Sequence, residues 1–337
     1  MKKSISKLIL FYFSIYILAC GQPGELALYG ELPKATPASQ IETKTVLKME
    51  LPPIPQNLAP PPPVIKFSNP ENIATIAYED EYPRPGDADY KDFVLNLSVQ
   101  EKVNSRGEIY QIIIDFVPRA LGASFDHSLN FVFNGKIDRP TDKRAARVTA
   151  PLFEGDAEIT LSHMDQAGKV IDVQNNLQKT ANVVIFPSTH NVFGGANFVN
   201  VTIAKNKCIA RKPSMTARLE INLKEPALNI LGDRREIDMS KYRVVLHVKN
   251  TNKDIDIVDV NPSLTDEQGL PFGLFVPTDW KWPAAGKDLR NIYPDFKKYS
   301  AYLLAHQLNP SLKADDNIKN WFEIINPKFQ KNLSHCD

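Results

Sequence analysis

Short runs of apolar–polar alternation restrict this chain more than any other feature. In Phe93-Val94-Leu95-Asn96-Leu97-Ser98-Val99, the residues Phe93, Leu95, Leu97 and Val99 share one side, because successive side chains of a strand point to opposite faces. Asn104-Ser105-Arg106-Gly107 supplies a turn and residues 108–117 return as a second run, the pattern of an antiparallel hairpin. Further runs fall at 128–133, 147–148, 157–161, 182–186, 197–203, 216–223, 242–248 and 255–260. Asn134-Gly135 and Asp165-Gln166-Ala167-Gly168 supply turns among them. Many short strands between turns predict a mainly β fold, an antiparallel β-sandwich in one or two packed lobes, rather than a βαβ fold. The lobes are expected at 71–190 and 191–337. Twenty-six prolines are too many for a helix bundle and suit strands and loops. Short helices are expected only at the C-terminus. There Pro294 suits a first turn, Phe296, Tyr299 and Leu303 recur at helical spacing, and a second helix is expected at 315–322.

Residues 1–20 read as a targeting segment. Lys2, Lys3 and Lys7 precede an apolar run at 8–19, of secretory length and short of the roughly 20 residues a spanning helix needs. The run ends in Ile17-Leu18-Ala19-Cys20-Gly21, which resembles a bacterial lipobox. Cleavage before Cys20 would leave a thiol to carry diacylglycerol, and several acyl chains anchor a protein stably where one is marginal. Gly21 in place of an acidic residue favours onward sorting to the outer membrane. Residues 21–70 are rich in proline, with Pro52-Pro53 and Pro60-Pro61-Pro62-Pro63, and predict a disordered, extended tether. Removing Lys2, Lys3 and Lys7 from the 40 basic residues leaves 37 against 39 acidic ones, which argues against a nucleic-acid partner. Cys208 and Cys336 are suitable for a disulfide in an exported chain, or stand as two idle thiols.

Residues 78–94 concentrate acid: Glu79, Asp80, Glu81, Asp87, Asp89 and Asp92 lie around Pro85-Gly86. Calcium takes 6–8 oxygen ligands on flexible loops. Asp87, Asp89 and Asp92 are candidate ligands, with Glu79 or Asp80 closing the shell and Gly86 allowing a close backbone approach. The spacing is not that of an EF-hand, and Lys91 puts a positive charge beside the site unless its side chain points outward. The alternative is that these carboxylates accept hydrogen bonds from turn amides and end strands. Trp280, Trp282 and Tyr293 form a candidate aromatic platform for sugar rings, or else pack beneath the C-terminal helix. The six histidines show no zinc spacing, and no nucleophile elbow, Walker loop or dinucleotide fingerprint is present.

The acidic stretch, Y-E-D-E-Y-P-R-P-G-D-A-D-Y-K-D-F-V, resembles the opening signature of the LruC-domain lipoproteins, approximately F-E-D-x-x-P-x-x-G-D-x-D-[YF]-N-D-[LV]-V. Val117-Pro118-Arg119-Ala120-Leu121-Gly122-Ala123 is similar to the family's next block, an apolar strand running into R-A-L-G-A. Residues 270–277 (LPFGLFVP), Trp280-Lys281-Trp282-Pro283, Ile292-Tyr293-Pro294-Asp295-Phe296 and Asn320-Trp321-Phe322 resemble its later blocks, in the expected order. The resemblance covers residues 71–323. Lys91 stands where the family usually has asparagine, and residues 300–316 run longer than its usual turn. The resemblance implies a β-rich, exported lipoprotein domain of the cell envelope and implies no enzymatic activity.

The expected function is therefore that of a non-catalytic, lipid-anchored protein at the outer membrane, structural or binding, facing the periplasm or the cell surface. The alternative is a calcium-dependent adhesion module whose partner is a glycan, a matrix, or an envelope or host protein. A hydrolase with residues gathered from loops is a more remote alternative.

Overall fold

The computed structural model describes residues 64–65 and 73–337, apart from 106–107, 134–135, 142–145, 152–156, 176, 178–181, 204–206, 228–241, 258–264, 316–317, 319, 335 and 337. The targeting segment, Cys20 and the 21–70 tether lie outside the described residues, except for the pair 64–65.

Fourteen strands are described. In chain order they are β1 (Val64–Ile65), β2 (Ile73–Tyr78), β3 (Phe93–Val103), β4 (Ile109–Ala120), β5 (His127–Phe133), β6 (Lys136–Thr141) and β7 (Ala146–Pro151). There follow β8 (Ala157–Met164), β9 (Val170–Asn175), β10 (Asn182–Phe186), β11 (Thr216–Ala227), β12 (Tyr242–Val248), β13 (Lys253–Ile255) and β14 (Gly273–Pro277). The large sheet runs β14-β2-β3-β4-β11-β8-β9, with β1 also paired to β3; the small sheet runs β10-β5-β12-β13; β6 and β7 form a separate hairpin. All the ladders are antiparallel, so the fold is mainly β, as the alternation predicts.

Register turns alternation into layers. Val99, Ile114, Leu219 and Leu161 stand in one row across β3, β4, β11 and β8, and all four are buried. Val183, Phe131 and Val244 form the matching row of the small sheet. These inner faces close one core, in which Phe116 and Phe131 meet edge to face at 6.1 Å. The Tyr78 hydroxyl crosses between the sheets and donates to the Val244 carbonyl at 2.8 Å.

The opposite face of the large sheet carries a second row, Leu274, Ala77, Val94 and Ala120 across β14, β2, β3 and β4. Its two alanines leave room for a layer built on α1 (Leu289–Ile292) and α2 (Phe296–Leu308). Phe296, Tyr299 and Leu303 are buried, as their spacing predicts. Of the second expected helix, Ile318 is helical and donates its N–H to Asp315 Oδ1 at 2.8 Å, while 316, 317 and 319 lie outside the described residues.

Three expectations need correction. Both sheets draw strands from both sides of residue 190, and β11 lies between β4 and β8, so two lobes do not divide there. Residues 197–203 form isolated bridges rather than a strand, because Phe198 (φ 54°) and Asn200 (φ 56°) take left-handed conformations that break the pleat. Of the run at 255–260, Ile255 ends β13, Asp256 and Ile257 are not in a strand, and 258–260 lie outside the described residues. At the tether, Val64 and Ile65 pair with Val103 and Lys102, so strand pairing starts ahead of residue 71.

Candidate functional site

The acidic stretch is the connection from β2 to β3, and its fold follows from where its backbone groups find partners. Glu79 N–H donates to the Phe272 carbonyl at 2.9 Å as β2 ends, and Asp92 N–H donates to the Tyr78 carbonyl at 3.2 Å as β3 begins. Between them Ala88 (φ 57°) and Tyr90 (φ 49°) are left-handed, a conformation costing on the order of 1–2 kcal/mol for a side-chain-bearing residue. Compensating bonds hold them there. The Ala88 carbonyl accepts from Leu289 N–H at 2.8 Å, Tyr90 N–H donates to Glu79 Oε1 at 2.5 Å, and the Tyr90 hydroxyl donates to the Pro271 carbonyl at 2.7 Å. At Gly86 a Cβ would stand 2.2 Å from Glu79 Oε2, so glycine lets the loop close over that carboxylate.

This path turns the charged groups inward. Asp89 is wholly buried, Lys91 is 6% exposed, and Glu79, Asp80 and Asp92 are buried beside them. The Lys91 ammonium lies 2.8 Å from Asp89 Oδ1, 2.9 Å from Asp92 Oδ1 and 4.0 Å from Asp87 Oδ2. The second oxygens of Asp89 and Asp92 meet backbone donors: Gly286 N–H donates to Asp89 Oδ2 at 2.7 Å and Asp80 N–H to Asp92 Oδ2 at 2.9 Å. The lysine thus points into the block rather than away from it.

Burial dominates the electrostatics. It raises the Glu79 carboxyl well above the usual range, helped by the neighbouring Asp92 and Asp89. It pushes Asp89 up to about 8, with Asp92 and Asp87 adding to the rise and Lys91 opposing it. Burial also works against the charge on Lys91, yet Asp92, Asp89, Glu79 and Asp87 outweigh it and hold the ammonium above the usual lysine range.

Of the five carboxylates expected to gather, Glu79, Asp87 and Asp89 each offer an oxygen within 4.8 Å of the others, so this group could hold a metal ion. Asp92 is engaged by Lys91 and the Asp80 amide. Asp80 itself turns to His127, whose Nε2 lies 3.0 Å from Asp80 Oδ2, while Nδ1 lies 3.0 Å from Thr189 Oγ1. Burial raises the Asp80 carboxyl, and the bond to His127 opposes that rise. A carboxylate, an imidazole and a hydroxyl in series can relay protons, but here all three residues are buried, so no substrate reaches the hydroxyl. One sequence signal does mark His127: it is in phase with the inward residues Leu129, Phe131 and Phe133 of β5.

The aromatic candidates separate. Trp280 and Tyr293 are buried in the layer under α1 and α2, with rings stacked at 6.3 Å and Trp321 edge-on to both. Trp280 nevertheless borders the same cavity as Trp282, whereas Tyr293 does not line it. Trp282 is half-buried and lines this cavity of about 500 Å³ with Trp280, Arg119, Asn200, Asp279, Lys281 and Ser334. Its Nε1–H donates to the Asn200 carbonyl at 2.9 Å, which fixes the ring. Cys336 also lines this cavity and is joined to Cys208 by a disulfide with Cα atoms 5.4 Å apart.

Among known proteins, residues 107–302 match the family described as "Domain of unknown function (DUF4842)". A crystal structure from Bacteroides ovatus, named "Putative lipoprotein", superposes with a TM-score of 0.50 at 14% identity, covering 78% of this chain and 75% of that one. At that identity the likeness is one of fold. No curated protein matches this chain significantly.

Proposed function

The chain belongs to the DUF4842 family, and we propose that it is a non-catalytic, lipid-anchored protein of the bacterial outer membrane with a structural or binding role. One observation carries the reading: the apolar run at 8–19 ends in Leu18-Ala19-Cys20, a proline-rich stretch follows, and a β body comes after it. The B. ovatus protein of similar fold, named as a lipoprotein, supports it. The finer LruC reading rests on the motifs across 71–323, whose span encloses the matched residues. The Asp80–His127–Thr189 series, buried among the described residues, is compatible with a non-catalytic role. Expression of the full chain with a labelled fatty acid tests the anchor. Label should appear on the wild type in the outer-membrane fraction and disappear in Cys20→Ser. An unlabelled wild type, or a labelled Cys20→Ser, would overturn the proposal.

A second reading, binding of a saccharide, is favoured by the cavity at Trp282. An indole held by its own N–H bond can stack on a sugar ring, and Arg119, Asp279, Lys281 and Asn200 supply polar groups around it. Calcium, the ion considered for Glu79, Asp87 and Asp89, has no part in this reading, because the Lys91 ammonium already meets the carboxylates beside it. A glycan array comparing wild type with Trp282→Ala tests it. A hit that the variant loses supports the site, and identical profiles remove it.

A further inference from the structure

We infer that the cavity at Trp282 takes an acidic saccharide, its ring stacked on the fixed indole and its carboxylate met by Arg119 and Lys281. The inference rests on the saccharide reading above and names the class of sugar.

Three observations carry it. The first is which groups of the wall are already engaged. The Ser334 hydroxyl donates to the Pro283 carbonyl at 2.8 Å and accepts from Thr202 N–H at 3.2 Å, and the Thr278 hydroxyl accepts from the Asn96 amide at 3.3 Å. The side chains of Arg119, Lys281 and Asp279 are exposed and have no hydrogen bond or ion pair among the described residues. The wall thus holds two uncommitted cations against one carboxylate. A guanidinium can meet a carboxylate with two parallel N–H groups, which a neutral sugar cannot use.

The second observation is a further donor. Trp280, 5% exposed, borders the same cavity, and its Nε1–H meets no acceptor among the described residues. The wall therefore carries a surplus of donors, which suits a ligand rich in oxygen acceptors.

The third observation is the charge of the chain beside the cavity. Residues 173–219 contain no aspartate or glutamate, and they carry Lys179, Lys205, Lys207, Arg211, Lys212 and Arg218. Asn200 fastens this stretch to the cavity. Its carbonyl accepts from Trp282 Nε1–H, and its side-chain amide donates to the Arg119 and Arg211 carbonyls at 2.6 and 2.8 Å. Cys208 adds a second tie through its disulfide to Cys336 in the cavity wall. Arg218 is paired with Asp115, and Arg211 donates one guanidinium N–H to the Phe193 carbonyl, while Lys207 and Lys212 are exposed. Charge of one sign beside a cavity raises the local concentration of an anionic ligand and speeds its arrival.

The test is calorimetric titration of the full chain in detergent, at about 150 mM salt so that weak surface attraction is screened. The probes are oligogalacturonate, oligomannuronate and oligoglucuronate, each beside its neutral, carboxyl-reduced counterpart. At least one acid form should bind, about tenfold or more tighter than its reduced counterpart, as the loss of a charge-assisted contact implies. Trp282→Ala should abolish that binding. Arg119→Gln and Lys281→Gln change exposed side chains, so the fold does not depend on them. Each should weaken the acid form and narrow the gap to the reduced one, and Asp279→Asn should strengthen the acid form. Equal affinity for acid and reduced forms, lost together in Trp282→Ala, would overturn the inference and leave the saccharide reading standing. Binding of an acid form that survives Trp282→Ala would show general charge attraction and overturn it as well. Silence of every probe, where a glycan array finds a neutral sugar, would overturn the inference alone; silence of probes and array together would remove both readings.

Discussion

Asp89 determines how the acidic block answers to pH. Its carboxyl has an ordinary value of 3.8, and folding pushes it up to about 8, chiefly by burial. Between those values the unfolded chain has released a proton that the folded chain keeps, so a rise in pH favours unfolding. Glu79 and Asp80 are raised for the same reason and act in the same direction. Asp126 and Asp172, held low by Lys249 and Ser188 and by Gln174 and His163, act oppositely only below the ordinary carboxylate range. The urea midpoint should therefore fall from about pH 5 to about pH 8, and Asp89→Asn should flatten that fall. A midpoint that climbs with pH across this window would contradict the assignment. At this scale, legibility stops at direction. Spacing around Pro85-Gly86 suggests Asp87, Asp89 and Asp92 with Glu79 or Asp80, but neither the engagement of Asp92 by Lys91 nor the inward turn of that lysine could be read from it. That turn depends on Gly122, thirty-one residues away, where a Cβ would meet the Lys91 stem, and on the left-handed Ala88 and Tyr90, which nothing in their residue types demands.

Elements were legible where one face is buried and the other is not. β3 shows this plainly: Phe93, Leu95, Leu97 and Val99 enter the core between the sheets, and the polar residues between them stay half-exposed. β10 and β12 begin and end where their sequences predict, since each flanks β5 in the small sheet and turns one face into the core between the sheets. The pattern fails in two physically distinct ways. β9 is exposed along its whole length as the outermost strand beside β8, so alternation had no buried face to mark. β14 is mostly buried between the β2 edge and the helical layer, and five residues without alternation read as a family block rather than a strand. The run at 197–203 fails for a third reason. Asn200 uses its side chain on the backbone, accepting from Arg211 N–H at 2.8 Å and donating to the Arg119 carbonyl at 2.6 Å, which favours a bend over a ladder.

On the scale of the whole molecule, what joins distant segments decides stability, and periodicity says nothing about it. The C-terminal tail is laid along the cavity segment by backbone bonds, with Ala284 N–H donating to the Asn332 carbonyl at 2.7 Å and Ser334 N–H to the Trp282 carbonyl at 2.9 Å. Cys336 then reaches back across 128 residues to Cys208, in the stretch that carries Asn200 and Arg211. The two cysteines could be named as a candidate pair from the export that residues 1–20 lead one to expect; the tail's route could not. A cross-link over that separation removes unfolded-state entropy worth up to about 5 kcal/mol. The variant Cys208→Ser/Cys336→Ser should therefore unfold at a clearly lower urea midpoint than the oxidised wild type, and reductant should shift the wild type alone. Because Cys336 lines the cavity beside Trp282, loss of the bridge should also change that indole's fluorescence before unfolding begins. Equal midpoints with and without reductant would show that the backbone bonds of residues 332–334 hold the tail without help from the bridge.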